Sequence, residues 1–200
     1  MSEKEAVKGA RIFLVTGDPG SGKTTLVSKL ILSLKTRGFT VGGVLTREVR
    51  SHGEREGFIL VDVSSEESSN LATSEKMPGP RVGKYHVNLK TLADLAVRAM
   101  KHAKEKSDVI VCDEVGPMEL FSPEFRRSVS DAVFNSSKPV ICVVHKRLAD
   151  PLIDELKNHP LSAIYEVTYE NRNDLPEQIS LKILSCLESE HELGSGQVQN

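Results

Sequence analysis

The apolar residues of this chain follow two patterns along the sequence. Continuous runs predict buried strands, and spacings of three or four residues predict helices with one apolar face. The predicted strands cover residues 11–16, 40–46, 58–63, 82–87, 108–113, 139–144 and 163–168. The predicted helices are one that ends before Gly38, three over residues 89–104, 124–134 and 150–157, and a last one marked by apolar residues from Leu175 to Leu187. Strands that alternate with helices indicate an α/β fold with a mainly parallel sheet and helices on both faces.

Polar segments separate these elements. Residues 47–57 are charged, and we expect them to form the loop of a hairpin-like excursion between two strands. Residues 64–80 are rich in Ser, Glu, Pro and Gly, which indicates a surface connection. Residues 1–9 are predicted to fray, and residues 189–200 are predicted to be a disordered tail. Residues 1–188 should therefore form a single domain.

A glycine-rich motif lies between the first predicted strand and the first predicted helix. Gly17, Asp18, Pro19, Gly20, Ser21, Gly22, Lys23 and Thr24 match the pattern G-x-x-x-x-G-K-[ST] at every required position. Strand, glycine loop and helix is the context that this phosphate-binding motif requires. We call residues 17–24 the phosphate loop, and we expect it to bind a nucleotide together with Thr25.

The residue types of the phosphate loop suit that chemistry. Several backbone N–H groups must meet the phosphate oxygens at once, and Gly17, Gly20 and Gly22 allow such a tight wrap because glycine adopts positive φ. The positive end of the helix dipole adds attraction for an anion. Lys23 is a point charge that reaches the β and γ phosphates, which makes it a candidate catalytic residue. The Thr24 hydroxyl is a natural ligand for Mg²⁺.

A second segment is expected to complete the nucleotide site. It consists of Val109, Ile110, Val111, Cys112, Asp113, Glu114, Val115 and Gly116. Asp113 ends a predicted buried strand, where an aspartate holds hydrated Mg²⁺ together with the loop Thr. Glu114 points to the other side of the strand and is a candidate to orient and deprotonate a water molecule. A strand-end salt bridge for Asp113 and a structural role for Glu114 remain open alternatives.

Several side chains are candidates for contacts with the transition state or the base. They are Arg47 and Arg50 after the second strand, with Arg55 in the same loop, Arg147 beside Lys146, and Asn171 and Arg172 after the last strand. An arginine aimed at the γ phosphate accelerates phosphoryl transfer strongly, but most surface arginines are only solvated. The sequence does not select among them. His145 is expected to contact neighbouring residues at a strand end and not to carry a proton.

Composition excludes some classes of partner. The formal net charge is −2, with 27% charged residues, so nucleic acid is not expected as the main partner. The N-terminal segment lacks the apolar core of a signal peptide, and no apolar run has the length of a membrane span. Three cysteines show no metal spacing and are interpreted as reduced thiols, used mostly in packing, of a cytoplasmic protein. The oligomeric state is not determined, and a monomer is compatible with the sequence.

Four segments together resemble a known family. They are residues 16–26, residues 43–58 with Gly53, Arg55 and Gly57, the run D-E-V-G-P-M-E-L at residues 113–120, and E-N-R-N at residues 170–173. This combination resembles the small P-loop nucleoside-triphosphatases, which include thermophile enzymes and a human cancer-related protein, and it extends over residues 11–185. The resemblance implies a RecA-like core and slow, Mg²⁺-dependent hydrolysis of NTP to NDP and phosphate, with broad tolerance of the base.

Two other functions share the phosphate loop. A small nucleotide or metabolite kinase needs an acceptor pocket and often a lid rich in arginine, whereas residues 146–159 carry only three basic side chains, Lys146, Arg147 and Lys157. A nucleotide switch or adaptor that is specific for guanine usually carries an N-K-x-D base reader, which this sequence lacks. Hydrolysis is therefore the leading hypothesis, and phosphate release without an acceptor would discriminate it from the kinase.

Overall fold

The structure is a computed structural model that describes residues 9–195. Within these residues, nine strands form one sheet in the order β5-β6-β4-β3-β2-β7-β8-β1-β9. The strands are β1 (Ile12–Thr16), β2 (Val41–Ser51), β3 (Glu54–Asp62), β4 (Ser68–Thr73), β5 (Arg81–Val82), β6 (Tyr85–Val87), β7 (Val109–Val115), β8 (Val140–Val144) and β9 (Ser162–Glu166). The helices are α1 (Lys23–Thr36), α2 (Leu89–Thr91), α3 (Val97–Lys106), α4 (Pro123–Phe134), α5 (Pro151–Asn158) and α6 (Leu175–Ser195). A π-helical turn, Leu92–Ala96, joins α2 to α3, and a 3₁₀ turn, Glu119–Phe121, precedes α4.

The strands that carry the predicted site are parallel. β2, β7, β8, β1 and β9 pair side by side in the same direction. Their carboxyl ends therefore meet at one edge of the sheet, where ligands bind in open α/β sheets. The phosphate loop follows β1, and Asp113 and Glu114 lie near the end of β7. This edge brings the two predicted halves of the site together.

Helices cover both faces of the sheet, as predicted, and the α/β class is confirmed. On one face, Leu30 of α1 and Ile183 of α6 are fully buried in the same apolar cluster. On the other face, Met100 of α3, Phe125 of α4 and Ile153 of α5 are fully buried in a second cluster. The central strands lie between these clusters, so their side chains are buried on both faces and read as continuous apolar runs.

The predicted loop over residues 47–57 is instead a two-stranded ribbon. β2 and β3 pair antiparallel from Val44 with Asp62 to Ser51 with Glu54. His52 and Gly53 connect them with φ angles of 50° and 83°, as in the tight hairpin turns whose twist matches paired strands. The prediction of a loop was wrong because it relied on the charged side chains. A ribbon that extends past the sheet edge needs no buried apolar face, since hydrogen bonds between the two strands satisfy its backbone N–H and C=O groups.

The predicted surface connection over residues 64–80 also contains a strand. β4 pairs antiparallel with β3 and places Leu71 and Ala72 in the core. The single edge strand predicted over residues 82–87 is a short hairpin of β5 and β6. The sheet is thus more antiparallel than predicted on this side, because a strand with only two buried apolar residues leaves little signal in the sequence.

The C-terminal helix extends further than predicted. α6 continues to Ser195, so residues 189–195 are helical where a disordered tail was expected. Glu and Leu in this segment favour helix, and a helix satisfies its backbone groups without a buried face. Residues 196–200 and the predicted frayed residues 1–8 lie outside the described part of the chain. None of the helices described is both long and apolar enough to cross a membrane.

Candidate active site

The phosphate loop has the backbone that its glycines predicted. Gly17, Gly20 and Gly22 have φ angles of 149°, 78° and 105°. A Cβ at Gly17 would lie 2.6 Å from the carbonyl oxygen of Val167, so the backbone after β9 packs closely against Gly17 and leaves no space for a side chain there. Gly22 is the N-cap of α1, and no side chain caps the first turn. Its N–H groups therefore have no competing side-chain acceptor, which suits an anion at the helix N-terminus.

Lys23 begins α1 and turns back over the loop. Its Nζ donates hydrogen bonds of 3.1 Å to the carbonyl oxygens of Gly17 and Asp18. The ammonium group is thereby held at the mouth of the loop, where its charge also lowers the pKa values of Asp113 and Glu114. The charge of Lys23 therefore acts on both acids of the candidate site.

Asp113 is a buried carboxyl group with one unsatisfied oxygen. Its side chain is 1% exposed, and burial, followed by the charge of Glu114, raises its pKa to about 7. A hydrogen bond from the Thr24 hydroxyl and the charge of Lys23 act in the opposite direction. The Oδ2 atom has no hydrogen-bond partner among the described residues. A buried oxygen without a partner requires an explanation, and a bound cation provides one.

Glu114 lies beside Asp113 and is half buried. Burial raises the pKa of its carboxyl group, while Lys23 and His145 lower it. A Cβ at Gly116 would lie 2.7 Å from Glu114 Oε1, so a larger residue there would displace the carboxylate. Gly116 thus leaves the space that Glu114 occupies.

These side chains share one cleft of about 710 Å³. The phosphate loop lines it together with Asp113 and Glu114. The β2–β3 ribbon and the loop after β8 add further lining residues: Thr46, Glu48, Arg55, Phe58, His145, Lys146 and Arg147. The cleft therefore combines a phosphate cradle, two acids and several cations.

Comparison with known proteins gives one consistent result. A protein family described as NTPase matches residues 12–180. The nucleoside-triphosphatase THEP1 of Thermofilum pendens is 42% identical over 180 residues, covering 89% of this chain and 98% of that protein. The THEP1 of Thermotoga sp. (strain RQ2) is 41% identical over 168 residues, covering 84% and 92% of the two chains.

The chain belongs to the NTPase family.

Two solved structures of similar proteins support this assignment at the level of the fold. The crystal structure of THEP1 from Aquifex aeolicus matches with a TM-score of 0.75 and 31% identity, covering 84% of this chain and 96% of that one. The solution structure of a human cancer-related nucleoside triphosphatase also gives a TM-score of 0.75, with 34% identity and 88% and 98% coverage. The family resemblance predicted from the motifs is confirmed.

The structure separates the basic candidates of this NTPase family member. Arg147 lines the cleft, and a terminal nitrogen of its guanidinium group lies 3.4 Å from Asp18 Oδ1. Arg47 and Arg50 are exposed and are not among the cleft-lining residues. Arg55, which the sequence did not distinguish from its neighbours, does line it.

The two candidates after β9 lie at the other end of the phosphate loop. Asn171 accepts a hydrogen bond from the Thr168 N–H and donates one to the Glu166 carbonyl oxygen, so its side chain shapes the loop. Arg172 stacks at 4.9 Å over the Tyr169 ring, and its Cδ lies 3.8 Å from where a Cβ of Gly22 would be. Arg172 thus lies near the start of α1, and Asn171 holds the loop that follows β9.

Most of the predicted β7 segment is structural. Four of its residues are fully buried in the sheet: Val109, Ile110, Val111 and Cys112. Neither these four nor Val115 and Gly116 line the cleft. Strand residues between two helical layers have no path to a ligand, so only Asp113 and Glu114 reach it. Cys112 and Cys142 are buried thiols on neighbouring strands, which agrees with their predicted role in packing. His145 Nδ1 accepts hydrogen bonds from the N–H groups of Arg147 and Leu148, as expected for a strand-end residue.

Lys146 joins three parts of the site that are distant in sequence. Its Nζ lies 2.9 Å from Asp18 of the phosphate loop and 2.7 Å from Glu166 at the end of β9. The hydrogen bond from Lys146 is the largest cause of the lowered pKa of Asp18. Sequence reasoning noted Lys146 as a basic residue but had no signal for this pairing, because the partners are brought together only by the sheet.

Glu119 is a buried acid that the sequence analysis did not assign. It is 5% exposed, and its pKa is raised to about 8, first by burial and then by the charges of Glu114 and Asp113. The backbone N–H groups of Glu119 and Gly116 donate to its carboxyl group and oppose the shift. The sequence placed Glu119 in the family-like run of residues 113–120, which does not indicate that its side chain is buried.

The shifted pKa of Glu119 predicts that stability falls as pH rises. The unfolded chain releases this proton near the ordinary value of 4.5, whereas the folded protein keeps it to about 8. The folded state therefore binds more protons between these values, and the free energy of unfolding declines through this window. Thermal unfolding of nucleotide-free protein should show this decline, and Glu119→Gln should make it shallower. Parallel pH curves for the two proteins would contradict the prediction.

Proposed function

We propose that this chain is a nucleoside-triphosphate phosphohydrolase that converts NTP to NDP and phosphate by in-line attack of water. One observation carries the proposal: buried Asp113 and half-buried Glu114 face Lys23 and Thr24 across one cleft. The names of the similar proteins, nucleoside-triphosphatases, support it. A loop that binds phosphate, in the same cleft as two carboxyl groups, suits hydrolysis in which one of the acids activates a water molecule.

Substrate binding is assigned to the phosphate loop. The uncapped N–H groups at the start of α1 and the Lys23 ammonium bind the β and γ phosphates. Thr25 and the glycines bring the backbone close to the phosphate oxygens. Since phosphoryl transfer needs accurate positioning more than covalent chemistry, these contacts account for most of the nucleotide affinity.

The same site suits Mg²⁺. Thr24 and Asp113 would hold the ion, because a carboxylate oxygen without a partner lies next to a hydroxyl group. When bound, Mg²⁺ neutralises charge on the β and γ phosphate oxygens. Within residues 9–195, no group of three or more His, Cys, Asp or Glu side chains is placed to hold a metal. Two protein ligands fit an ion that keeps its waters and phosphate oxygens as the others.

Glu114 is the proposed general base. Its carboxylate accepts a proton from the attacking water as the new bond from oxygen to the γ phosphorus forms and the bond from the γ phosphorus to the bridging oxygen breaks. Its raised pKa makes it a better proton acceptor than an exposed glutamate. The charge of Lys23 limits that rise and favours the ionised carboxylate.

Phosphate release from ATP, GTP, CTP and UTP, with and without Mg²⁺ and without an added acceptor, tests the proposal. We expect release from all four nucleotides, because the described cleft offers no group set for one base. Release only in the presence of an acceptor would favour the kinase, and tight binding without turnover would favour the switch or adaptor.

The role of Asp113 gives a second prediction. Asp113→Asn keeps the size of the side chain and removes its charge, so the Mg²⁺ concentration for half-maximal activity should rise by at least about tenfold, as for lost metal contacts. Binding of nucleotide without Mg²⁺ should change little. Asp131→Asn, which removes an exposed acid of α4, is the matched control. An unchanged Mg²⁺ titration would move the metal role elsewhere.

The remaining assignments complete the proposal. Nucleoside triphosphate is the partner, and nucleic acid is not, because the net charge is −2 and basic residues such as Arg50 are paired with acids. The buried thiols of Cys112 and Cys142 suit a reducing compartment, so we assign the protein to the cytoplasm.

A further inference from the structure

We propose that Arg55 is a further catalytic residue, whose guanidinium group stabilises the γ phosphate from the part of the cleft that the β2–β3 ribbon forms. This assignment rests on the proposed hydrolysis.

A β-bulge aims Arg55 into the cleft. Glu48 pairs with Phe58 and Val49 with Gly57, but Arg50 pairs with Arg55, so Glu56 is an extra residue on β3. In a regular ladder Arg55 would share a face with Gly57, because side chains alternate along a strand. The extra residue transfers Arg55 to the face of Glu48 and Phe58, both of which line the cleft. Bulges redirect side chains in this way beside active sites.

Three contacts hold Arg55 in place before any ligand binds. Its guanidinium group forms a salt bridge with Glu48 and lies 5.5 Å above the Phe58 ring. The Phe58 ring packs edge-on against Tyr85 of β6 at 5.1 Å, and the Tyr85 hydroxyl donates to the Arg55 carbonyl oxygen. Such an arginine loses little further freedom when it meets a phosphate, which is the condition for electrostatic stabilisation.

The ribbon is fixed to the strand that carries the acids. Leu45 of β2 is in register with Asp113, and the Thr46 hydroxyl donates to the Asp113 carbonyl oxygen at 2.7 Å. Glu48 lies two residues beyond Thr46, or roughly 7 Å along the strand. The Arg55 guanidinium group is paired with Glu48, so it is tied to the strand that is fixed to Asp113. Arg55 and both acids line the same cleft.

The bonding of Arg55 leaves donors for a ligand. A guanidinium group has five N–H donors, and the buried Nε of Arg55 has no hydrogen-bond partner among the described residues. By contrast, Arg50 uses Nε and one terminal nitrogen on Glu48 and the other on the Gly53 carbonyl oxygen. Arg147 is 78% exposed at the rim. Arg55 thus lines the cleft and keeps an unused Nε donor, with 39% of its side chain exposed, and this donor suits charge that develops on the γ phosphate.

The test compares Arg55→Ala and Arg55→Lys with the parent protein and with Arg50→Ala. Arg50→Ala is the matched control, since Arg50 shares the hairpin and the Glu48 partner but does not line the cleft. We expect kcat to fall by about 10²- to 10³-fold in both Arg55 variants, as when one preorganised donor is removed. KM and the affinity for ADP should stay near the parent values. Arg55→Lys keeps the positive charge but lacks the planar guanidinium group, so it should recover little of the kcat that Arg55→Ala loses.

Two readouts separate a catalytic role from a structural one. With Mg²⁺ present, the parent should bind ADP more tightly when aluminium fluoride is added as a mimic of the transferring phosphoryl group, and the Arg55 variants should lose this gain. Free guanidinium ion should partly restore hydrolysis by Arg55→Ala and not by Arg55→Lys. Circular dichroism checks folding, and if Arg55→Ala does not fold, the aluminium fluoride measurement on Arg55→Lys decides.

Several outcomes would overturn the assignment. Parent kcat in Arg55→Ala, a raised KM with kcat preserved, or an equal loss in Arg50→Ala would each exclude a catalytic role for Arg55. A parent protein that releases no phosphate from any triphosphate would refute the proposed function itself. The two failures are distinguishable because the first requires an active parent.

Discussion

Glu114→Gln is expected to lower kcat by about 10²- to 10⁴-fold, the usual contribution of a positioned base, with nucleotide Kd unchanged or lower. In the proposed mechanism, affinity comes from the phosphate loop and from an ion held by Thr24 and Asp113, whereas Glu114 would contact only the attacking water. An interaction made mainly in the transition state affects kcat and not binding. Removing a carboxylate next to the γ phosphate also removes repulsion, which favours ATP.

The pH dependence of kcat gives this prediction a second readout. Glu114 acts as a base only when deprotonated, and burial raises its pKa above the ordinary 4.5. Parent kcat should therefore fall as pH decreases through that raised pKa. Glu114→Gln should lose the contribution of Glu114 to this limb, whereas that of Asp113, whose pKa is raised to about 7, should remain. Glu124→Gln, which alters an exposed glutamate paired with Arg127, is the control. Steady-state rates and nucleotide titrations at several pH values measure both effects.

A structure with a triphosphate analogue would locate the water directly. We expect it between Glu114 and the γ phosphorus, in line with the bridging oxygen. Hydrolysis at the parent rate by Glu114→Gln would show that another group, such as the phosphate itself, activates the water. Lost affinity with preserved kcat would make Glu114 a binding residue and strengthen the kinase and switch alternatives.

Lys23→Ala is expected to remove most turnover while the fold remains intact. Loss of one preorganised charge contact costs about 2.7–4 kcal/mol of transition-state stabilisation. The fold should persist because Lys23 makes its hydrogen bonds within the loop, to Gly17 and Asp18, and not in the core. Steady-state kinetics measure the loss, and thermal unfolding checks the fold.

A matched variant is available on the same helix. Lys29→Ala removes an exposed lysine of α1 on the side away from the buried residues Leu26 and Leu30, and its activity should equal that of the parent. Near-normal kcat in Lys23→Ala would mean that the phosphate loop is not the reaction centre. Equal losses in both variants would indicate a general effect of charge on α1.

The features that sequence predicted well are those built from contiguous residues. The phosphate loop is one, because its positive φ angles, helix N-terminus and Lys23 lie within eight neighbouring positions. The runs that became β1, β7 and β8 are others, since burial between two helical layers requires apolar residues at every position. Asp113 and Glu114 were placed correctly for the same reason, at the end of such a run.

The features that sequence missed depend on pairing between distant segments. The charged ribbon of β2 and β3 is stabilised by backbone hydrogen bonds across strands, which leave no apolar pattern. The pairing of Lys146 with Asp18 and Glu166 exists only because β8, β1 and β9 are neighbours in the sheet. Burial of Glu119 likewise follows from the packing of the turn before α4, and a single acid does not reveal it.

Arg55 shows the physical reason most directly. Sequence alone offered Arg47, Arg50 and Arg55 as equivalent cations in one loop. A shift of one residue in strand register moves a side chain to the opposite face, so the bulge at Glu56 places Arg55 on the face of Glu48 and Phe58, which line the cleft. Contiguous residues therefore determined the phosphate loop and the position of the two acids, and the tertiary register determined that Arg55 joins them in one cleft.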